Sequence, residues 1–194
     1  SNPLIFPDKP WETFNISAGS VIRTPEGLYK MFYTSYNPYE VPTKENYVCY
    51  AESIDGLNWT KPNLGFFNYQ GSTQNNILFG GFDQTVTGRP ISATASLEVQ
   101  GVSIIYDVKE TDPNKRYKMI FSQLVDYYGD TYGIFAAFSA DGINWDRNTA
   151  FVHHGDHAET QHLLDAPDFG QYMITHKVVV LPGDNPGSLP DRRA

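Results

Sequence analysis

Tyr29-Lys30-Met31-Phe32 returns 88 residues later (117 − 29 = 88) as Tyr117-Lys118-Met119-Ile120. A second motif, Ser53-Ile54-Asp55-Gly56-Leu57-Asn58-Trp59, returns after 86 residues (139 − 53 = 86) as Ser139-Ala140-Asp141-Gly142-Ile143-Asn144-Trp145. The two motifs recur in the same order at nearly the same spacing, which indicates stacked structural repeats rather than one irregular domain.

Each repeat is predicted to form a four-stranded antiparallel sheet. Helical periodicity is weak, and short runs rich in β-branched and aromatic residues lie between clusters of Gly, Pro, Asn and Asp. The predicted strands are 20–23, 28–36, 47–53 and a stretch around Trp59, then 101–106, 117–124, 131–139 and a stretch around Trp145. The Asp-Gly pairs fall between the third and fourth strands, where a turn needs positive φ, and each following Trp can pack under its turn.

Repeated four-stranded meanders predict an all-β fold, specifically a partial β-propeller. The predicted units are blade 1 (about 15–65), blade 2 (about 96–150) and half of blade 3 (about 155–194, with strands 160–164 and 171–180). A propeller ring holds about four to eight blades, so two and a half blades would leave open sheet edges. We therefore expect a part of a longer chain or a homo-oligomer, most simply a symmetric dimer.

Composition excludes several functions. The 194 residues carry a net charge of −8 and show no basic patch, so nucleic acid is not a predicted partner. No apolar run approaches the roughly 20 residues of a membrane span, and a single cysteine, Cys49, excludes an internal disulfide. The composition predicts no compartment.

The Tyr-Lys-Met strand followed by Tyr50-Ala51-Glu52-Ser53 and the Asp-Gly-x-x-Trp motif resembles the five-bladed propellers of the arabinanase, levansucrase and invertase type. The pattern is most similar to uncharacterised bacterial relatives of these glycoside hydrolases, and it covers nearly the whole chain but only the first half of such a propeller. Further matching stretches are Lys61-Pro62-Asn63-Leu64-Gly65, Gly71-Ser72, Asn75-Asn76-Ile77 and 112–119. The resemblance implies a carbohydrate ligand.

The resemblance also implies carboxylates at the starts of the first three blades, where two of them would flank a scissile glycosidic bond. Anchored on the Tyr-Lys-Met strand, these positions fall at Ser17, Gln100 and Glu159, and only Glu159 is acidic. A register shift of two residues keeps the same strand face and brings in Asn15 and Glu98. The predicted catalytic candidates are Glu98, Asp156 and Glu159, with catalysis itself left open.

The predicted substrate-binding residues combine aromatic rings, which stack on sugars, with polar side chains near the strand starts. Trp11 is expected at the mouth of the central channel of the propeller. Tyr127 and Tyr128 are expected in a polar loop. The full set is Trp11, Asn15, Ser17, Gln100, Tyr127 and Tyr128. For tyrosines within strands, cross-strand packing is the favoured interpretation.

All five histidines follow residue 150, and His153, Asp156 and His157 could offer metal ligands. No zinc-type spacing is present, so neither a metal nor a cofactor is predicted. Two functions remain: a hydrolase-related carbohydrate module with an incomplete catalytic set, or a non-catalytic carbohydrate-binding or assembly module that keeps the scaffold. An Asp at the first-blade position would favour chemistry, whereas Ser17 favours binding.

Overall fold

The computed structural model describes residues 4–37, 45–80, 99–126, 131–146, 150–156, 161–166, 168 and 170–176. This part of the chain is all-β, with antiparallel sheets and two single turns of 3₁₀-helix at Pro10–Glu12 and Pro113–Lys115. The predicted all-β class is therefore confirmed.

In the described residues, ten strands form three sheets, and within each sheet neighbouring strands are consecutive along the chain. The first sheet contains β1 (Asn15–Arg23), β2 (Tyr29–Asn37), β3 (Glu45–Ser53) and β4 (Ile77–Gly80). The second contains β5 (Val99–Tyr106), β6 (Tyr117–Asp126), β7 (Thr131–Ser139) and β8 (Ala150–Asp156). β9 (Gln161–Ala166) pairs with β10 (Gln171–His176), near the strands predicted to begin a third unit.

The fourth strands lie later in the chain than the sequence predicts, and the assignments around Trp59 and Trp145 are wrong. Thr60 makes only a single bridge to Glu52, and Trp145 only a single bridge to Ser139. The Asp-Gly turns direct the chain off the sheet edge, which leaves that edge free for a later segment. In the first sheet β4 takes this edge by pairing with β3, and all four of its residues are buried there. The sheets consequently run to residues 80 and 156.

The main hydrophobic core lies between the first two sheets and joins residues such as Phe32 and Tyr50 to Met119 and Phe121. The opposite face of the first sheet is covered by Trp11 and by the long β3–β4 connection. The opposite face of the second sheet receives Leu163 of β9. The three sheets are thus stacked, and apolar packing joins each one to the next.

The first strand of each sheet contacts the first strand of the next, β1 with β5 and β5 with β9. The Ile104 N–H donates to Ser20 Oγ at 2.8 Å, and the Leu163 N–H donates to Ser103 Oγ at 3.0 Å. Ser20 pairs with Phe32 and Ser103 pairs with Ile120, the fourth residues of the two Tyr-Lys-Met motifs. The same hydrogen bond therefore recurs at both junctions.

The strand register places Tyr172-Met173-Ile174-Thr175 where the Tyr-Lys-Met motif lies in the second sheet. Leu163 pairs with Ile174 on β10, as Ile104 pairs with Met119 on β6. The equivalence is hard to see in the sequence because only the tyrosine is kept, with methionine in place of the lysine and isoleucine in place of the methionine.

Candidate functional site

The two Asp-Gly turns are built from the same hydrogen bonds. Asp55 Oδ1 accepts from the N–H groups of Leu57 at 2.8 Å and Asn58 at 2.7 Å. The second turn repeats both distances around its own aspartate, and both glycines have a φ of 75°. The predicted equivalence of the turns is confirmed, and both carboxylates are committed to their own backbone.

The electrostatics of the two aspartates agree with this structural role. The backbone N–H and side chain of Asn58 hold the pKa of Asp55 below its usual range. Partial burial opposes ionisation of Asp141, but hydrogen bonds from Asn144, Ile143 and Ser139 together outweigh it and lower that pKa as well. The indoles of Trp59 and Trp145 are half-buried and donate to the carbonyl oxygens of Gly56 and Gly142 at 3.2 and 3.1 Å. The aspartate and tryptophan of each motif therefore stabilise their own turn.

Ser17 on β1 and Gln100 on β5, two of the positions predicted for a sugar site, have equivalent pairing partners in the first two sheets. Ser17 pairs with Thr34 and Gln100 pairs with Ser122, and these two partners lie 88 residues apart (122 − 34 = 88), as the Tyr-Lys-Met motifs do. The side chains of Asn15 and Ser17 are exposed and can meet a ligand. Neither position of the first sheet carries an acid.

Asp156 lies away from β5, the first strand of its sheet. It is the last residue of β8 and pairs with Thr131 on β7. Because β8 is three strands from β5, a strand spacing of about 4.8 Å separates the two backbones by roughly 14 Å. The remaining candidates, Glu98, Glu159, Tyr127 and Tyr128, lie outside the described residues, so a meeting of the three carboxylates stays a prediction.

Trp11 is only 7% exposed and packs edge-on against Tyr69, with the ring centroids 5.5 Å apart. Its indole N–H donates to Asn76 Oδ1 at 3.0 Å. These are the contacts of a core residue that attaches the N-terminal segment to the first sheet. Its assignment as a substrate-binding residue stays a prediction.

Glu12, beside Trp11, is fully buried at the centre of a polar network that sequence reasoning missed. Its carboxylate accepts from the Tyr33 hydroxyl at 2.6 Å and forms an ion pair with Lys61 at 2.7 Å. Asn76 Nδ2 donates to the same Tyr33 oxygen at 2.6 Å. Burial raises the pKa of Tyr33, so its hydroxyl stays protonated as the donor to Glu12.

The same network anchors the N-terminal segment. The Lys61 ammonium also donates to the Phe6 carbonyl at 2.7 Å and to Asp8 at 2.6 Å. The Glu12 carboxylate accepts from the N–H groups of Asp8 and Lys9. Because the partners of Glu12 and Lys61 all lie within the protein, the network holds the N-terminal segment against the first sheet.

A surface cavity of about 450 Å³ lies beside this network. Trp11 and Tyr69 form its apolar side, and the exposed polar residues Gln70, Ser72 and Gln74 lie around it. The cavity has room for a small polar molecule, although the two rings present little free surface for stacking.

Within the described ranges, no three His, Cys, Asp or Glu side chains are grouped so that they could hold a metal ion. His153 and Asp156 lie on β8, and His157 falls outside the described residues. In the same part of the chain, no helical segment has the length and apolarity that a membrane crossing requires.

No family model matches this chain, and no curated protein matches it.

Proposed function

We propose that this chain is a carbohydrate-binding module built as part of a β-propeller, with about two and a half blades and an incomplete set of the catalytic acids found in the glycoside hydrolases it resembles. The support for the propeller arrangement is the repeated junction, in which Ser20 and Ser103 each accept a hydrogen bond from the next first strand. In a propeller the first strands of successive blades lie side by side around one axis, as β1, β5 and β9 do in pairs here.

The observation that carries binding over hydrolysis is the chemistry of the equivalent inner positions. Ser17 and Gln100 share one register, yet neither is a carboxylate. Glycoside hydrolysis by the usual route needs two carboxyl groups across the bond. Hydroxyl and amide groups instead hydrogen-bond sugar hydroxyls without cleaving the linkage, and the exposed Asn15 adds an amide on the same strand face as Ser17.

Calorimetric titration with arabinan and fructan oligosaccharides, followed by a wider glycan panel, tests this proposal. We expect Asn15→Ala and Ser17→Ala each to weaken binding about five- to tenfold, because each removes a hydrogen bond to the ligand. Val21→Thr is the matched control, since Val21 is 54% exposed on the opposite face of the same strand and should bind as the parent chain does.

Failure to bind any glycan in the panel would overturn the carbohydrate proposal. Turnover of aryl-glycosides that is lost in Glu98→Gln or Glu159→Gln would favour the hydrolase instead. Binding that the control variant weakens as much as Ser17→Ala would place the ligand elsewhere on the molecule.

A further inference from the structure

Asn46, near the start of β3, is a buried polar residue whose side chain is incompletely paired. It is 6% exposed, and its Oδ1 has no hydrogen-bond partner among the residues that the structure describes. Within those residues it is the only buried side-chain oxygen or nitrogen in this condition. A buried acceptor without a donor costs stability, so this atom calls for a donor that the protein itself does not supply.

The strand register places Asn46 in one row with the strand proposed to bind sugar. Tyr36 on β2 pairs with Asn46 on one side and with Asn15 on the other. Directly paired residues of antiparallel strands point to the same face. Val48 and Tyr50, at alternate positions of β3, assign this face to the side of the main core. The row therefore crosses three strands on the face toward the second sheet.

Burial increases along this row. Asn15 is exposed, Tyr36 is partly buried and Asn46 is almost completely buried. The neighbouring row begins in the same way, with the exposed Ser17 paired to the partly buried Thr34. Two strand spacings of about 4.8 Å separate β1 from β3, so the first row is about 10 Å long. A ligand of this length can contact Asn15 at the surface while one of its groups reaches Asn46.

An exposed aromatic ring lies beside the polar row. The ring of Phe14 packs edge-on against that of Tyr36, with centroids 5.7 Å apart and planes at 87°. Phe14 is 51% exposed, whereas Trp11 is 7% exposed. Since aromatic rings stack on sugar faces, Phe14 offers the ring surface that Trp11 lacks.

The fold itself does not require an asparagine at this register. In the second sheet the equivalent pair is Leu124 with Tyr132. Tyr36 and Leu124 each lie seven residues after the tyrosine of their Tyr-Lys-Met motif (36 − 29 = 7 and 124 − 117 = 7). The same pairing therefore forms with an aliphatic and an aromatic residue, and the amide of Asn46 is not needed to hold β2 and β3 together.

We propose that Asn46 Oδ1 accepts a hydrogen bond from a hydroxyl group of a neutral oligosaccharide that lies along the row of Asn15, Tyr36 and Asn46. This inference rests on the proposed carbohydrate-binding function and adds the chemistry by which the protein selects its ligand. A sugar hydroxyl can donate to this oxygen, whereas a carboxylate, a sulfate or an ether oxygen would place two acceptors against each other. The net charge of −8 also disfavours anionic glycans. The row therefore selects neutral sugars over uronic acids and sulfated sugars.

Calorimetric titration of the full chain with arabinan and fructan trisaccharides, and with a galacturonan trisaccharide as the anionic comparison, tests this selection. We expect a neutral sugar to bind and the galacturonan not to bind. Asn46→Leu keeps the size of the side chain and removes the acceptor, so it should weaken binding by about tenfold. Asn63→Leu is the matched control, because Asn63 is exposed and its amide donates to Gln74. It should bind as the parent chain does.

Two further measurements separate a binding role from a structural one. Because Asn46→Leu removes an unpaired acceptor from the interior, we expect the thermal midpoint of the free chain to be unchanged or raised. Monodeoxy analogues of the bound sugar supply the ligand side of the test. The analogue that lacks the hydroxyl at Asn46 should bind the parent chain about tenfold more weakly, and Asn46→Leu should not distinguish it from the intact sugar.

The outcomes distinguish this inference from the function on which it rests. If Asn46→Leu binds as tightly as the parent chain while Asn15→Ala binds more weakly, the inference is overturned and the carbohydrate function stands, with a structural water as the donor to Asn46. A lowered thermal midpoint with undiminished discrimination among the deoxy analogues, or a preference for the galacturonan, overturns the inference as well. If the parent chain binds no glycan, the function and the inference fall together.

Discussion

Gly56 and Gly142 hold the same backbone conformation in very different surroundings. A Cβ on Gly56 would meet the Tyr29 ring at 3.5 Å, an ordinary contact. A Cβ on Gly142 would lie 3.0 Å from the Tyr117 ring and 3.2 Å from the Phe32 ring. The second turn is inserted between two sheets, whereas the first lies at the surface.

We expect Gly56→Ala to lower the free energy of unfolding by about 1 kcal/mol, the cost of positive φ for a residue with a Cβ. Gly142→Ala should lose about 2 to 4 kcal/mol, because crowding against two rings adds to that cost. Urea unfolding of both variants measures the difference. Equal losses would mean that the aromatic rings move aside freely.

At the scale of elements, polar contacts attach the β9–β10 sheet to the end of β5. The Tyr172 hydroxyl donates a hydrogen bond to the Asp107 carboxylate. Lys118 Nζ lies 3.6 Å from the same carboxylate and 2.6 Å from Glu110. Burial opposes ionisation of Asp107, but the Tyr172 hydrogen bond, the Lys109 N–H and Lys118 outweigh it and lower the pKa. The hydrogen bond from Lys118 likewise lowers the pKa of Glu110.

These shifts fix the sign of the pH dependence. A carboxyl whose folded pKa is depressed stabilises the fold above its unfolded pKa of about 3.9, and this contribution is lost as pH falls through the folded pKa. Tyr172→Phe keeps the ring beside Lys118 and removes the donor. We expect it to lower stability at pH 7 by about 1 kcal/mol and to reduce the further loss between pH 5 and pH 2. Urea unfolding across that range measures both effects, and an unaltered pH profile would contradict them.

At the scale of the whole molecule, the described sheets form a short one-dimensional array, in which each sheet contacts the next through the same junction. Stability in such arrays is approximately the sum of unit and interface terms. The Ser20 and Ser103 hydroxyls mark two interfaces that can be weakened separately, because each accepts a hydrogen bond from one following strand.

We expect Ser20→Ala and Ser103→Ala each to cost about 1 to 3 kcal/mol, because each leaves a backbone N–H without its partner. Amide hydrogen exchange should locate the damage at Ile104 in the first variant and at Leu163 in the second. Ser103→Thr keeps the hydroxyl and serves as the control. Uniformly faster exchange along the whole chain in both variants would show that the junctions are not independent.

The sequence predicted the features that depend on neighbouring residues. Alternation and turn chemistry placed β2, β3, β6 and β7, and both Asp-Gly turns, because these signals act over a few positions. The resemblance, anchored on the Tyr-Lys-Met strand, aligned Ser17 with Gln100, and the strand register gives them equivalent partners. Local signals misplaced β4 and β8, because which later segment takes an open sheet edge is a competition between distant parts of the chain.

Tertiary structure alone decided the contacts between distant residues. The partners in the Glu12 network are separated by up to 65 residues, as Trp11 and Asn76 are, and nothing local distinguishes this buried glutamate from an exposed one. The covered face of the first sheet was equally invisible, because burial depends on what packs above a strand. The sequence by itself determined the all-β repeat and its turns, and the three-dimensional packing determined which polar groups are buried and which edges are paired.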